Sequence, residues 1–68
     1  MTNSVYRKIE VVGTSPDSIS DAIANALSKA APEAREGWFE VSEIRGHITG
    51  GKAGIYQVGL KIGFKIEP

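Results

Sequence analysis

The chain has 68 residues and a formal net charge of zero, with eight Lys and Arg against eight Asp and Glu, which bounds it to one domain over 1–68. Its 41% apolar and 24% charged residues are ordinary for a globular chain, and the balanced charge argues against nucleic-acid and membrane-surface partners, which need a basic excess. With no cysteine and His47 as the one histidine, disulfides, thiolate chemistry and a His-rich metal centre within one chain are excluded.

The first element is a strand over 5–12. Val5, Arg7, Ile9 and Val11 lie on one face, and Tyr6, Lys8, Glu10 and Val12 on the other. Gly13-Thr14 reads as its end. A helix follows, with Ser15 expected as N-cap, Pro16 in the first helical position and Asp17 near the positive end of the dipole. Ile19, Ala22, Ile23, Ala26, Leu27 and Ala30 fall at spacings of three and four and make one stripe. Most of that stripe is alanine, so the helix can sit close to its support. Pro32 disfavours helical geometry at Ala31, which sets the expected end or kink. Residues 33–37 then form a short polar connection.

A second strand is expected over 38–48. Phe39 and Val41 share a face, whereas Ile44 and Ile48 have the opposite parity, so a bulge near Ser42-Glu43 is predicted to realign them. Thr49-Gly50-Gly51-Lys52 is a hairpin turn. The third strand, about 53–66, has the clearest alternation. Tyr56, Val58, Leu60, Ile62, Phe64 and Ile66 face one way, and Ile55, Gln57, Gly59, Lys61, Gly63 and Lys65 the other.

The order is strand, helix, strand, strand. An antiparallel three-stranded sheet then needs the third strand in the middle, a β-α-β-β subunit of the α+β class. Fourteen extended residues span about 46 Å, against a radius of gyration of about 11 Å for a compact chain of this size. The third strand must curl around the helix, extend past it, or both. Ordering a residue costs on the order of 1.5 kcal/mol, so a core this small barely breaks even alone. Oligomerisation is therefore expected before any motif is considered. Met1-Thr2-Asn3-Ser4 does not read as a signal peptide, and no apolar run approaches the roughly 18 residues of a membrane span. A cytoplasmic location is the expectation.

With the apolar set of strand three against the helix, Gln57 and Lys65 point away from it. Trp38 points away on the second strand, and Arg45 and His47 do so after the bulge. Gly59 and Gly63 on this outer face favour curvature and close approach by another body. Trp38 as plain subunit packing accounts for part of this pattern, since aromatic residues are enriched at interfaces. The sharper reading is a planar, electron-poor ligand. An indole stacks on such a ring, a Gln amide pairs with an imide-like edge, and Arg45 or Lys65 can meet a phosphate.

At these residues the sequence resembles the dodecin family of small flavin-binding proteins. The matching stretches are Tyr6 to Ser15, Trp38-Phe39-Glu40-Val41, Ile44-Arg45-Gly46-His47, Tyr56-Gln57-Val58 and Gly63-Phe64-Lys65. The resemblance implies a sheet wrapped around its helix and twelve subunits in a hollow dodecamer. It implies flavins, FMN or riboflavin, bound in pairs between subunits and stacked on Trp38. Gln57 matches the residue that hydrogen-bonds the pyrimidine edge, and Arg45 a basic position near the ligand. Lys65 stands where members often carry Arg, with a phosphate or coenzyme A contact as its implied role. Residues 31–37 depart from the family pattern, with a proline and about one residue fewer.

The functional expectation is a non-enzymatic flavin store or buffer, with photoprotection by the adjacent indole and no catalytic or metal residues. The alternatives are a small flavoenzyme using His47 or a glutamate as proton shuttle, and a structural shell in which Trp38 only packs. His47, Glu10, Glu40 and Glu43 are otherwise surface or subunit-contact residues. Gly50-Gly51 is too short to cradle a phosphate.

Overall fold

The computed structural model describes residues 3–30 and 32–66. The chain runs β1 (Tyr6–Ser15), α1 (Ile19–Ser28), a 3-10 turn (Pro32–Ala34), β2 (Trp38–Thr49) and β3 (Lys52–Lys65). One antiparallel sheet has the order β1-β3-β2, the α+β subunit that the sequence predicts with β3 in the middle. Two glycines join β2 to β3. Gly50 and Gly51 have φ of 58° and 76°, the twist that a two-residue hairpin loop needs.

The alternation of β3 sets the core. Val58, Leu60, Ile62 and Phe64 are buried, and Ala22 and Ala26 of α1 close on them. Ile9, Val11 and Ile23 pack at the margin. Alanines let the helix come down onto the sheet, and Gly13 lets it come closer still. A Cβ at Gly13 would lie 2.1 Å from the Ala22 carbonyl oxygen and 2.8 Å from the Ala26 Cβ. This corrects the reading of Gly13-Thr14 as a stop. β1 runs on through Ser15, pairing Gly13 with Val58, Thr14 with Gln57 and Ser15 with Tyr56. Glycine stands there because the helix crosses at that point.

The longer strand also moves the helix cap. Ser15 is held in the sheet ladder, so Ser18 is the N-cap, and its Oγ accepts from the Asp21 N–H at 2.9 Å. The buried Ser15 hydroxyl instead organises the turn. It donates to Asp21 Oδ2 at 2.7 Å and accepts from the Asp17 N–H at 2.9 Å and the Ser18 N–H at 3.3 Å. The helix closes at Ser28, with the Lys29 N–H donating to the Ala26 carbonyl and the Ala30 N–H to the Leu27 carbonyl, both at 3.3 Å. The end expected at Ala31 falls outside the described residues. The polar connection contains the 3-10 turn that starts at Pro32.

The predicted bulge is present, as a register shift between Val41 and Glu43. It puts Ile44 opposite Val58, on the face of Phe39 and Val41. A second shift between Gly46 and Ile48 was not legible in the pattern. It sets Ile48 opposite Ala53, off that face, where the side chain is 83% exposed. Extension, rather than compaction, is how the chain accommodates β3. The molecule measures 57 × 18 × 13 Å with a radius of gyration of 14.6 Å. A ten-residue helix is about 15 Å long, so it covers one part of a strand about 46 Å long. Phe39, Val41 and Ile44 are left exposed on the β2 edge of the sheet, and Ile48 and Ile55 at the two-stranded end beyond β1.

Two substitutions test this packing. Gly13→Ala forces a methyl against a backbone carbonyl and is expected to cost on the order of 1–3 kcal/mol. Ser18→Ala removes the cap and is expected to cost about 1 kcal/mol. Both appear as lower urea midpoints.

Candidate functional site

The sheet face away from α1 is laid out by the register in rows. From one end they read Tyr6–Lys65, Lys8–Gly63–Trp38, Glu10–Lys61–Glu40, Val12–Gly59–Glu43 and Thr14–Gln57–Arg45. All four expected ligand residues therefore lie on this face. It does not gather them in one place.

Trp38 opens β2, and its indole lies flat across β3. A Cβ at Gly63 would sit 2.2 Å, 2.3 Å and 2.5 Å from the indole Cζ2, Cη2 and Cε2. One ring face therefore rests on the Gly63 backbone. The residue is still 46% exposed, so the other face looks outward. Gly37 holds the approach to the ring: a Cβ there would lie 2.1 Å from the Gly63 carbonyl oxygen. The segment that departs from the family pattern thus delivers Trp38 through the 3-10 turn and one glycine.

The glycines of the outer face are filled from within the chain. Trp38 covers Gly63, while Ser42 Oγ and Glu43 Cγ each stand 3.0 Å from the Cβ position of Gly59. This corrects the expectation that another body approaches them directly.

Gln57 is half-buried, and among the described residues no hydrogen bond engages its side chain. Its amide can both donate and accept. Arg45 lies directly opposite, with its guanidinium paired to Glu43. Both of those side chains are more than half exposed, so the pair contributes little and opens easily. Lys65 lies at the other end, opposite Tyr6. It shares an open cleft of about 770 Å³ with Tyr6, Arg7, Arg35 and Glu36, three cations against one carboxylate. Arg7 and Arg35 were not singled out by sequence. One belongs by parity to the helix-side face and the other to a loop, so alternation carried no signal for either.

Trp38 faces Gly63, and Gln57 is six residues further along β3. At about 3.3 Å per residue that is a separation of ~20 Å, longer than a three-ring flavin nucleus. A single protomer therefore holds a stacking surface with a cation-lined cleft at one end, and an amide with a guanidinium at the other. Among the described residues no group of three or more His, Cys, Asp or Glu could hold a metal ion. No helix there is long and apolar enough to cross a membrane.

A family model described as Dodecin matches residues 5–67. The dodecin of Thermus thermophilus is 50% identical over 66 residues, covering 93% of each chain. Among solved structures, the dodecin from Streptomyces coelicolor is 48% identical, with a TM-score of 0.85 over 100% of this chain and 99% of that one. The dodecin from Streptomyces davaonensis is 37% identical, with a TM-score of 0.84 over 98% and 100%.

The seat of the indole is directly testable, because Trp38 is the single tryptophan. Gly63→Ala places a methyl where the ring lies. Tryptophan emission of the ligand-free protein should shift to the red and its near-UV dichroism should weaken. The urea midpoint should change much less than for Gly13→Ala, because a side chain rather than a carbonyl has to move.

Proposed function

The chain belongs to the dodecin family, and from that premise we propose that it is a non-enzymatic flavin-binding protein that stores or buffers FMN or riboflavin in a homo-oligomer. The observation that carries this reading is the Trp38 indole, seated on Gly63 with its free face outward. An apolar aromatic face turned to water is costly in a monomer, and it is what a planar, electron-poor ring needs.

The residues fit a flavin in kind. Trp38 offers stacking, and Gln57 offers a donor and an acceptor for the pyrimidine edge. Arg45, once released from Glu43, offers a cation near that edge. Lys65, with Arg7 and Arg35 in its cleft, has the charge for a phosphate-bearing tail, whether of FMN or of coenzyme A. Because Trp38 and Gln57 are ~20 Å apart along one strand, a complete site takes its indole from one copy and its amide from another. Assembly into a dodecamer, the arrangement implied by the family, brings such pairs together and covers the exposed Phe39, Val41 and Ile44 of β2. The cytoplasmic location expected from the sequence belongs to the same proposal.

Bound flavin supplies a redox- and light-active ring. The chain's part is to stack it, orient its polar edge and exclude water and redox partners from it. An adjacent indole donates electrons to an excited flavin, which quenches fluorescence and limits photochemistry. The flavoenzyme alternative has weaker support, since His47 lies at the second irregularity of β2, far along that strand from Trp38.

The test is titration of FMN and of riboflavin with the purified protein, following flavin fluorescence. Strong quenching at micromolar protein is expected. Trp38→Ala should weaken binding by ~1–3 kcal/mol, the scale of aromatic–base stacking. The variant should elute as the intact oligomer in size-exclusion chromatography. No quenching with either flavin removes the proposal. Loss of the oligomer in Trp38→Ala would make Trp38 a packing residue instead.

A further inference from the structure

We propose that Lys8 is a working part of the Trp38 stacking surface, its ammonium being the charge that an acceptor-rich ring stacked on the indole meets. The inference rests on the reading of Trp38 as a flavin platform and adds a specificity-determining residue to it. Lys8, Gly63 and Trp38 form one row across the three strands. Any side chain at position 63 would stand between the lysine and the indole. Glycine leaves that place empty, the ring lies across β3 towards β1, and Lys8 Nζ comes to 6.0 Å from the ring centroid. That is the reach of a cation–π contact.

The inner face of the indole is taken by the Gly63 backbone, so a ligand stacks on the outer face of the sheet, the face that carries Lys8. The indole is the ammonium's one engagement among the described residues, and a ring that stacks there displaces the flexible side chain to its own edge. Among the described residues the ion pair is Arg45–Glu43, and Lys8 reaches no carboxylate. Glu10, Lys61 and Glu40 in the next row, and Lys65 in the row on the other side, complete the charged groups around the ring. An exposed lysine resting on an aromatic face contributes little to folding. Beside a stacked flavin it meets ring carbonyl and ring-nitrogen acceptors and favours states in which the ring carries negative charge. It acts on the ring and not on the tail, because the contact that holds it is with the ring's own platform.

The experiment compares Lys8→Gln and Lys8→Arg with the wild type, using riboflavin, which has no phosphate, and FMN in parallel. Elution volume and urea midpoint should not change. Lys8→Gln should bind both flavins roughly two- to five-fold more weakly, the range for one exposed ionic contact to the ring acceptors. Lys8→Arg should restore affinity. In the ligand-free protein, Lys8→Gln should brighten Trp38 emission, because an ammonium beside an indole quenches it by proton transfer. Equal riboflavin affinity in Lys8→Gln and wild type overturns the inference while leaving the flavin reading intact, even if emission changes. A loss confined to FMN overturns it too, since Lys8 would then act on the tail. Failure of the wild type to bind either flavin removes both readings, and is recognised by the absence of any quenching to compare.

Discussion

The central strand needs a hydrogen-bonding partner on each edge and cover on each face, and it is fourteen residues long. The partners come from β1 and β2. The cover comes from a helix of ten residues, about 15 Å of it against about 46 Å of strand. Most other features of the molecule are consequences of that mismatch. The body is thickest where Ala22 and Ala26 rest on Val58, Leu60 and Ile62. β1 pairs with β3 from Tyr56 to Lys65, and beyond it only Lys52–Ile55 continues with β2 as a two-stranded end, where Ile48 and Ile55 stay exposed. A core this small leaves a short chain marginal by itself, so its stability and its exposed apolar residues point to the same remedy, further copies.

The same mismatch explains why the binding chemistry is spread out. Side chains on the outer face inherit the spacing of the strand, so residues on one surface can still be ~20 Å apart. Trp38 with the Lys65 cleft, and Gln57 with Arg45, are two halves of a recognition surface that no bending of one protomer unites. On the proposed function such a site is incomplete until copies meet, and ligand binding and assembly would then be coupled, since a flavin would bridge surfaces from different chains.

Two glycines show how sequence economy places large groups. Gly13 admits the helix to the sheet on one face, and Gly63 admits the indole on the other. In both cases the missing side chain makes room for a particular neighbour. Backbone flexibility has little to do with either position. Charge is arranged with similar restraint. The outer face alternates glutamate and lysine across the Glu10–Lys61–Glu40 row, two carboxylates against one ammonium, which disfavours an anion there. Positive charge gathers at the Trp38 end, with Lys8 over the indole and Arg7, Arg35 and Lys65 in the neighbouring cleft.

Alternation over 53–66 was enough to give the buried face of β3, and the parity of Phe39, Val41 and Ile44 was enough to give the first bulge. Strand order followed from the hairpin and the returning helix. The positions of Trp38, Gln57 and Lys65 on the outer face followed from parity, because a strand has only two faces, and that of Arg45 from parity together with the predicted bulge. Four things did not follow. The extension of β1 past Gly13 was hidden, because a glycine that ends a strand and one that lies under a helix look identical in sequence. The move of the cap from Ser15 to Ser18 depended on that extension. The second irregularity before Ile48 had no signal in an exposed two-stranded end, where no buried face enforces register. The contact of Lys8 with Trp38 needed three strands set side by side. Sequence by itself determined periodicity, and hence which residues face the helix and which face away. Tertiary structure decided which of the outward residues are neighbours, because neighbourhood across a sheet is fixed by register between strands, and register is a property of the folded chain.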